Sequence, residues 1–303
     1  MSDTKRQNAR ARAAGGFKLM DDIIKNKSAD VFYRNAIVTE TDRMLRALFK
    51  KLEQVYTTIH VNNAAPRLQG RSVKNIEKLL EYYKIEYTPI YLRNSEKIIK
   101  KWLNKTTKNA RRSILTNLRQ LYGEDIFTIQ FDEKKYGEIL RLIIDRNVGL
   151  IDNTVRQSLN NVENIVYDAV TTGQTWRSVA KDLSNQQHIA YDRIKRIARD
   201  QTGKANEVLN ELTQRDAGIE FFYWETREDE RVSTGYGGHK QLQGKIYKWG
   251  DTAHYPVVDS YGHRGVPHQR VNCRCTARAV LLRKNYQARQ TRDGDWVITK
   301  GKL

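Results

Sequence analysis

The side chains able to do chemistry in this 303-residue sequence are gathered between Phe221 and Leu282. That stretch holds both cysteines, Cys273 and Cys275, four of the six histidines, His239, His254, His263 and His268, and two of the four prolines. Thiolate sulfur and imidazole nitrogen are the usual ligands of tetrahedral zinc, so Cys273, Cys275, His239 and His268 form a candidate metal set. Asp229, Asp251 or Asp259 could orient a ligand histidine. The CxC spacing is tighter than that of common structural zinc sites, and the alternative is two reduced cysteines packed beside a sheet. Cysteines two positions apart rarely close a disulfide, so a reducing compartment is expected.

Catalytic readings of the same groups find less support. Cys273 or Cys275 could be drawn as a nucleophile with His239 or His263 and Asp259, and the cluster Glu228, Asp229, Glu230 could hold a divalent ion for attack on phosphate. Nothing in the spacing brings the first set together, and no second acidic motif accompanies the other. The segment HKQLQG lacks both the glutamate and the second histidine of HExxH, and there is no glycine-rich phosphate loop. A non-enzymatic protein is expected.

The elements that must position these groups are short strands and irregular loops. IEFFYWET (219–226), GKIYKWG (244–250) and TARAVLL (276–282) are rich in aromatic and β-branched residues, as sheets favour. Ahead of them the apolar residues recur at steps of three and four. Leu45, Leu48, Leu52, Val55 and Ile59 mark a helix over about 21–62. A second helix capped by Ser72 is expected to end at Tyr87-Thr88-Pro89. One long helix, or two, should follow through Trp102 and Leu118. The run IFTIQF (126–131) suggests a short strand, and residues 133–171 a further long helix. After a turn at Gly173, a short helix through Trp176, Val179 and Leu183 and another over about 188–212 complete the series. The fold class is therefore α+β, predominantly helical in its N-terminal and middle regions, with a small antiparallel-sheet C-terminal domain. The expected divisions are a basic flexible arm over 1–20, a long-helix region over 21–170, a helix-then-sheet domain over 171–285 and a tail over 286–303.

Charge points to partners. The chain carries a formal charge of +19 with a pI near 9.8, and a mean hydropathy of −0.73 beside 39% hydrophobic residues leaves much of it as surface. Such a field attracts polyanions. The most basic run is Arg93, Lys97, Lys100, Lys101, Lys105, Lys108, Arg111 and Arg112. On a helix it could lie along phosphates without reading bases, dock on an acidic protein surface, or simply face solvent. The basic N-terminus, with Lys5, Arg6, Arg10 and Arg12, lacks the apolar centre of a secretory signal. No segment approaches the roughly eighteen apolar residues of a membrane span, so no membrane insertion is expected.

The C-terminal residues resemble the head morphogenesis family of tailed bacteriophages, the minor head proteins of Mu type. The resemblance rests on Trp224; on Asp229, Arg231 and Val232; on His239 with Leu242 and Gly244; on Tyr247 and Pro267; and on Asn272-Cys273-Arg274-Cys275-Thr276. It extends upstream through TTGQTWRSVAKDL and covers about Val170 to Leu282. Ser233 replaces an arginine of the family pattern, and Arg199-Asp200-Gln201 lacks a carboxylate at its third position. The resemblance implies a virion protein inside the head near the portal vertex, found in the host cytoplasm during assembly. Its implied partners are the portal protein, the major capsid protein and double-stranded DNA, in head assembly and genome packaging or delivery. It further implies that Trp224, Asp229, Arg231, His239, Gly244, Asn272 and Arg274 are structural. Alternatives are a nucleic-acid-binding protein ejected with the genome and a metal-dependent DNA-processing enzyme.

Overall fold

The structure is a computed structural model and describes residues 3–20, 27–61, 70–122 and 129–301. Its elements run α1 (Asp3–Ala13), β1 (Phe17–Leu19), α2 (Lys27–Val61), α3 (Gly70–Tyr82), α4 (Thr88–Tyr122), α5 (Glu133–Thr172), α6 (Trp176–Asp216), β2 (Phe221–Glu225), β3 (Ile246–Lys248), β4 (Thr276–Leu282), β5 (Tyr286–Gln290) and β6 (Trp296–Lys300). The α+β expectation holds: helices fill the N-terminal and middle regions, and all three expected strands lie in an antiparallel sheet. The expected break at Ala64 to Pro66 and the first half of the expected strand, Ile126 to Thr128, lie outside the described residues. Ile129, Gln130 and Phe131 are not strand.

Two compact units divide the chain. One contains Lys27–Asn104 and Ile139–Gln201; the other contains Met1–Asn26, Lys105–Glu138 and Thr202–Leu303. Neither is a consecutive block, because α4, α5 and α6 each contribute residues to both.

The first unit is helical and its interior is periodic. Tyr33, Ile37, Leu45, Leu48, Leu52 and Tyr56 are buried along α2, and Ile151, Val155, Leu159, Val162 and Val166 along α5. These steps of three and four are the signature of one apolar face. Tyr33 stacks on Trp102 with centroids 4.4 Å apart, and its hydroxyl donates to Asn147 at 2.8 Å. Proline 89 does not end a helix as expected. Residues Tyr83–Tyr87 form a π turn between α3 and α4, and the Thr88 hydroxyl donates to the Tyr83 carbonyl at 2.8 Å. The widened turn accommodates a proline that lacks an amide, and it absorbs an apolar spacing that lengthens to five between buried Tyr83 and Thr88. Gly173, at φ 70, supplies the left-handed residue just after α5. Beyond it α6 runs unbroken for 41 residues, joining the two helices expected there.

The second unit carries the six-stranded sheet, ordered β1-β4-β2-β3-β6-β5 with every pairing antiparallel. Residues 1–20, read as a flexible arm, supply α1 and edge strand β1. The cause is specific contact: the Asn8 side-chain amide donates to the Trp296 carbonyl and accepts from the Ile298 amide, each at 3.1 Å, reading both polar groups of β6. Residues 286–303, read as a tail, supply β5 and β6. Strand alternation separates two cores. Phe222 and Trp224 join Leu242, Tyr247, Trp249, Tyr255, Val258, Val266, Cys275 and Ala277 on one side, while Phe221 joins Ala11, Phe17, Ile246, Val280 and Ile298 on the other. α6 is tied to the first side by Asn210 and Gln214, whose amides donate to the Ala277 carbonyl at 2.8 and 3.1 Å.

Candidate metal centre

Three of the four expected metal ligands converge. The ligand atoms of His239, Cys273 and Cys275 all lie within 4.8 Å of one another, with His239 Nδ1 at 3.3 Å from Cys273 Sγ and 3.4 Å from Cys275 Sγ. His239 opens a 3-10 turn (His239–Leu242) and is buried. Cys275 is buried immediately before β4, and Cys273 is half-buried in the loop ahead of it. Asn272 precedes the pair at φ 60, a left-handed conformation that asparagine tolerates better than most side chains.

Each donor is oriented from behind. His239 Nε2 lies 3.0 Å from the Val258 carbonyl, a contact that requires the proton on Nε2 and leaves the Nδ1 lone pair facing the sulfurs. The His268 backbone N–H donates to Cys273 Sγ at 3.3 Å. Trp224 presents a buried indole N–H with no hydrogen-bond partner, and its effect on the Cys275 sulfur is electrostatic, favouring the thiolate. Trp224 also meets the His239 ring edge to face, centroids 5.5 Å apart. A carbonyl on the imidazole and a backbone N–H on the Cys273 sulfur are among the surroundings expected of a Cys/His metal site.

The electrostatics agree. The hydrogen bond from Cys275 pulls the Cys273 thiol down to about 4 against the cost of burial, and His239 adds to the pull. Cys275 is pushed up, first by Cys273 and then by burial, with the Trp224 indole acting in the opposite direction. Burial opposes a charged His239, yet the Cys273 sulfur outweighs it and the imidazole is raised. The shifts favour a thiolate at Cys273, and a divalent cation would replace the proton that remains on Cys275. The residues fit zinc: two sulfurs and one nitrogen, close-set and individually oriented.

His268, the fourth expected ligand, contributes only its backbone. It sits at φ 62, and its ring lies over Gly203 of α6 so closely that a Cβ there would fall 2.5 Å from Nδ1. The other histidines are elsewhere. His254 pairs with Asp251 and exposed His263 with Asp259, both at 2.7 Å, so the Cys-His263-Asp259 set does not form. Asp229 is gripped by Arg274 through two contacts of 2.6 Å, with Arg231 at 3.5 Å, which lowers its carboxyl pKa. That grip ties the loop after β2 to the residue between the two cysteines. Gly244 adopts φ 82 and donates its amide to the Trp224 carbonyl at 2.9 Å. Sequence reasoning passed over Glu207, a buried carboxylate on α6 whose charge raises the Cys275 thiol. Its position among the outward charges of α6 gave no signal.

The basic run lies on α4 as expected. Arg93, Lys97, Lys100, Lys101, Lys105, Lys108 and Arg112 are exposed. Their spacing confines them to about 140° of the helix circumference at ~100° per residue. Arg111 is different: half-buried, it pairs with Glu133 at 2.6 Å and covers the Tyr136 and Phe131 rings at 4.3 and 4.5 Å. Among the described residues no helix is long and apolar enough to cross a membrane.

With this geometry in place, the comparisons are informative. Residues 160–278 match the family described as phage Mu protein F like protein, and over that segment the resemblance to phage head morphogenesis proteins holds. A protein of Haemophilus influenzae described as uncharacterized is 26% identical over 278 residues, covering 91% of this chain. The chain spans 57% of that relative's length. No solved structure matches.

Proposed function

We propose that this is a minor head protein of a tailed phage, acting near the portal and the packaged DNA in head assembly and in genome packaging or delivery. The observation that carries the reading is the phage Mu protein F-like match over 160–278, which takes in α6, β2, β3 and the entire His239, Cys273, Cys275 group. The formal charge of +19 and the exposed stripe on α4 support DNA proximity through phosphate contacts that ignore sequence. In this reading zinc bound by His239, Cys273 and Cys275 ties the loops of the sheet domain together, and the role is structural. Mass spectrometry of purified heads should find the protein at low copy number, and disrupting its gene should leave heads defective in DNA content or delivery. Absence from purified particles would overturn the assignment. Elemental analysis of protein purified without chelator should return close to one zinc per chain.

The α4 stripe also favours a second reading, a protein that leaves the head with the genome. Comparing particles before and after DNA release separates the two: retention supports the assembly role and loss supports ejection.

A further inference from the structure

We propose that the metal at His239, Cys273 and Cys275 keeps one coordination position open to the adjoining cleft, and that a phosphate-type dianion binds there. The proposal rests on the zinc reading above and not on the assignment to the phage head.

Three protein donors are one short of the closed tetrahedral set of a structural zinc, and three donors plus an open position is the pattern of sites that take an exogenous ligand. No further histidine, cysteine or carboxylate among the described residues joins the cluster. The histidine expected in that place, His268, turns its ring onto Gly203, and Asp229 is held by Arg274. The vacancy in the ligand set coincides with a cavity of about 240 Å³ lined by all three donors. At roughly 30 Å³ per water, such a space holds a small anion together with several waters.

With the metal neutralised by its own thiolates, the charge left on the cleft wall suits an anion. Its lining includes Arg227, Arg231, Arg270 and Arg274 and no acidic side chain. Two thiolates neutralise a divalent metal, and the carboxylates of Asp229, paired with Arg274, and Glu207, which acts on Cys275, offset two of the four arginines, leaving a surplus of two positive charges. A single carboxylate would leave half of that surplus uncompensated, whereas a phosphate dianion matches it. Arginine forks also match the oxygen geometry of phosphate and can bind it bidentately. Arg270 is well placed: its guanidinium contacts the same Val258 carbonyl that orients His239, at 3.4 Å, so it stands beside the imidazole.

The test uses the full chain loaded with Co²⁺, whose visible spectrum reports coordination. Titration with inorganic phosphate should change that spectrum saturably, and Arg270→Gln or Arg231→Gln should weaken the response about tenfold while metal content stays at one equivalent. A fully loaded protein whose spectrum ignores phosphate overturns the open position and leaves the metal reading standing; failure to take up Co²⁺ or Zn²⁺ removes both. A single-stranded oligonucleotide with and without a 5′-phosphate distinguishes the sources. A response to free phosphate alone assigns a small-molecule anion, and a response to the phosphorylated strand alone assigns a nucleic-acid end, either of which supports the site.

Discussion

The helical unit and the sheet-bearing unit are held together by different physics. In the helical unit Leu159, Val162 and Val166 on α5 and Leu45, Leu48 and Leu52 on α2 are buried at regular steps, and apolar burial is non-directional. In the other unit the long connections between β2, β3 and β4 have no such periodicity. They are fixed by the Arg274–Asp229 fork, by the Val258 carbonyl on His239 and by the His268 N–H aimed at the Cys273 sulfur. Directional contacts set distances and protonation, and this is why reactive atoms are gathered there and not in the larger apolar interior.

The largest test of that contrast is metal removal. A strong chelator should cost the sheet-bearing unit on the order of 10 kcal/mol, the lower end of what structural Cys/His zinc sites contribute, and leave the helical transition in place in calorimetry. A single shared transition that shifts as a whole would break the comparison. Next, Leu159→Ala, at a position with 0% exposure, should destabilise by about 2–5 kcal/mol through the cavity it opens and leave zinc stoichiometry unchanged. Loss of metal in that variant would show that the two kinds of interior are not independent.

Asp229→Asn probes the ionic grip by its pH dependence. Its folded carboxyl is lowered, chiefly by the hydrogen bond from Arg274, from an ordinary value of 3.8. Its contribution is therefore complete above that value and is lost as pH falls below it through the folded value. The gap in melting temperature between parent and variant should be constant near neutrality and close in acid; a gap that persists in strong acid would mean that the loop is held by something other than charge. The smallest effect concerns the outer surface. Lys97→Gln should lower the slope of log affinity for duplex DNA against log salt by about 0.9, the value of one phosphate contact, without changing stability measurably. A slope equal to the parent's would remove Lys97 from the DNA face.

What could be read from the sequence follows the same division. The helices of residues 27–61 and 133–172 were visible in their apolar steps, that of 176–216 as two separate helices, and β2, β3 and β4 in their aromatic and β-branched runs. Strands β1 and β5 were not, because FKL is short, YQARQ is mostly polar and the ordering of residues 3–20 depends on Asn8 reaching the backbone of β6, a contact 288 positions away; β6 was passed over although Trp296, Val297, Ile298 and Thr299 all favour strand. At the candidate metal centre, residue type pointed to Cys273, Cys275 and His239, which the fold brings together. Only tertiary structure could separate His239 from His268, since a backbone at φ 62 and a glycine on another element decide where that ring goes. The Asn272-to-Thr276 motif carried family likeness without disclosing that Trp224 packs edge to face on the His239 ring beside it.

The π turn at Tyr83–Tyr87 has a consequence for how substitutions and length changes are tolerated. Buried Ile76, Leu80 and Tyr83 precede it, and buried Thr88, Tyr91, Ser95 and Ile99 follow it, so the inward face is continuous only because one surplus residue is taken up at the turn. Deleting Glu86 would restore an ordinary α pitch in spacing but bring Pro89 against a regular helical carbonyl, and adding a residue there would rotate the α3 face by about 100° relative to α4. The turn therefore works as an angular vernier: it sets the rotational phase between two stretches of helix, and the chain length between Tyr83 and Thr88 is fixed more strictly than the identity of its exposed residues.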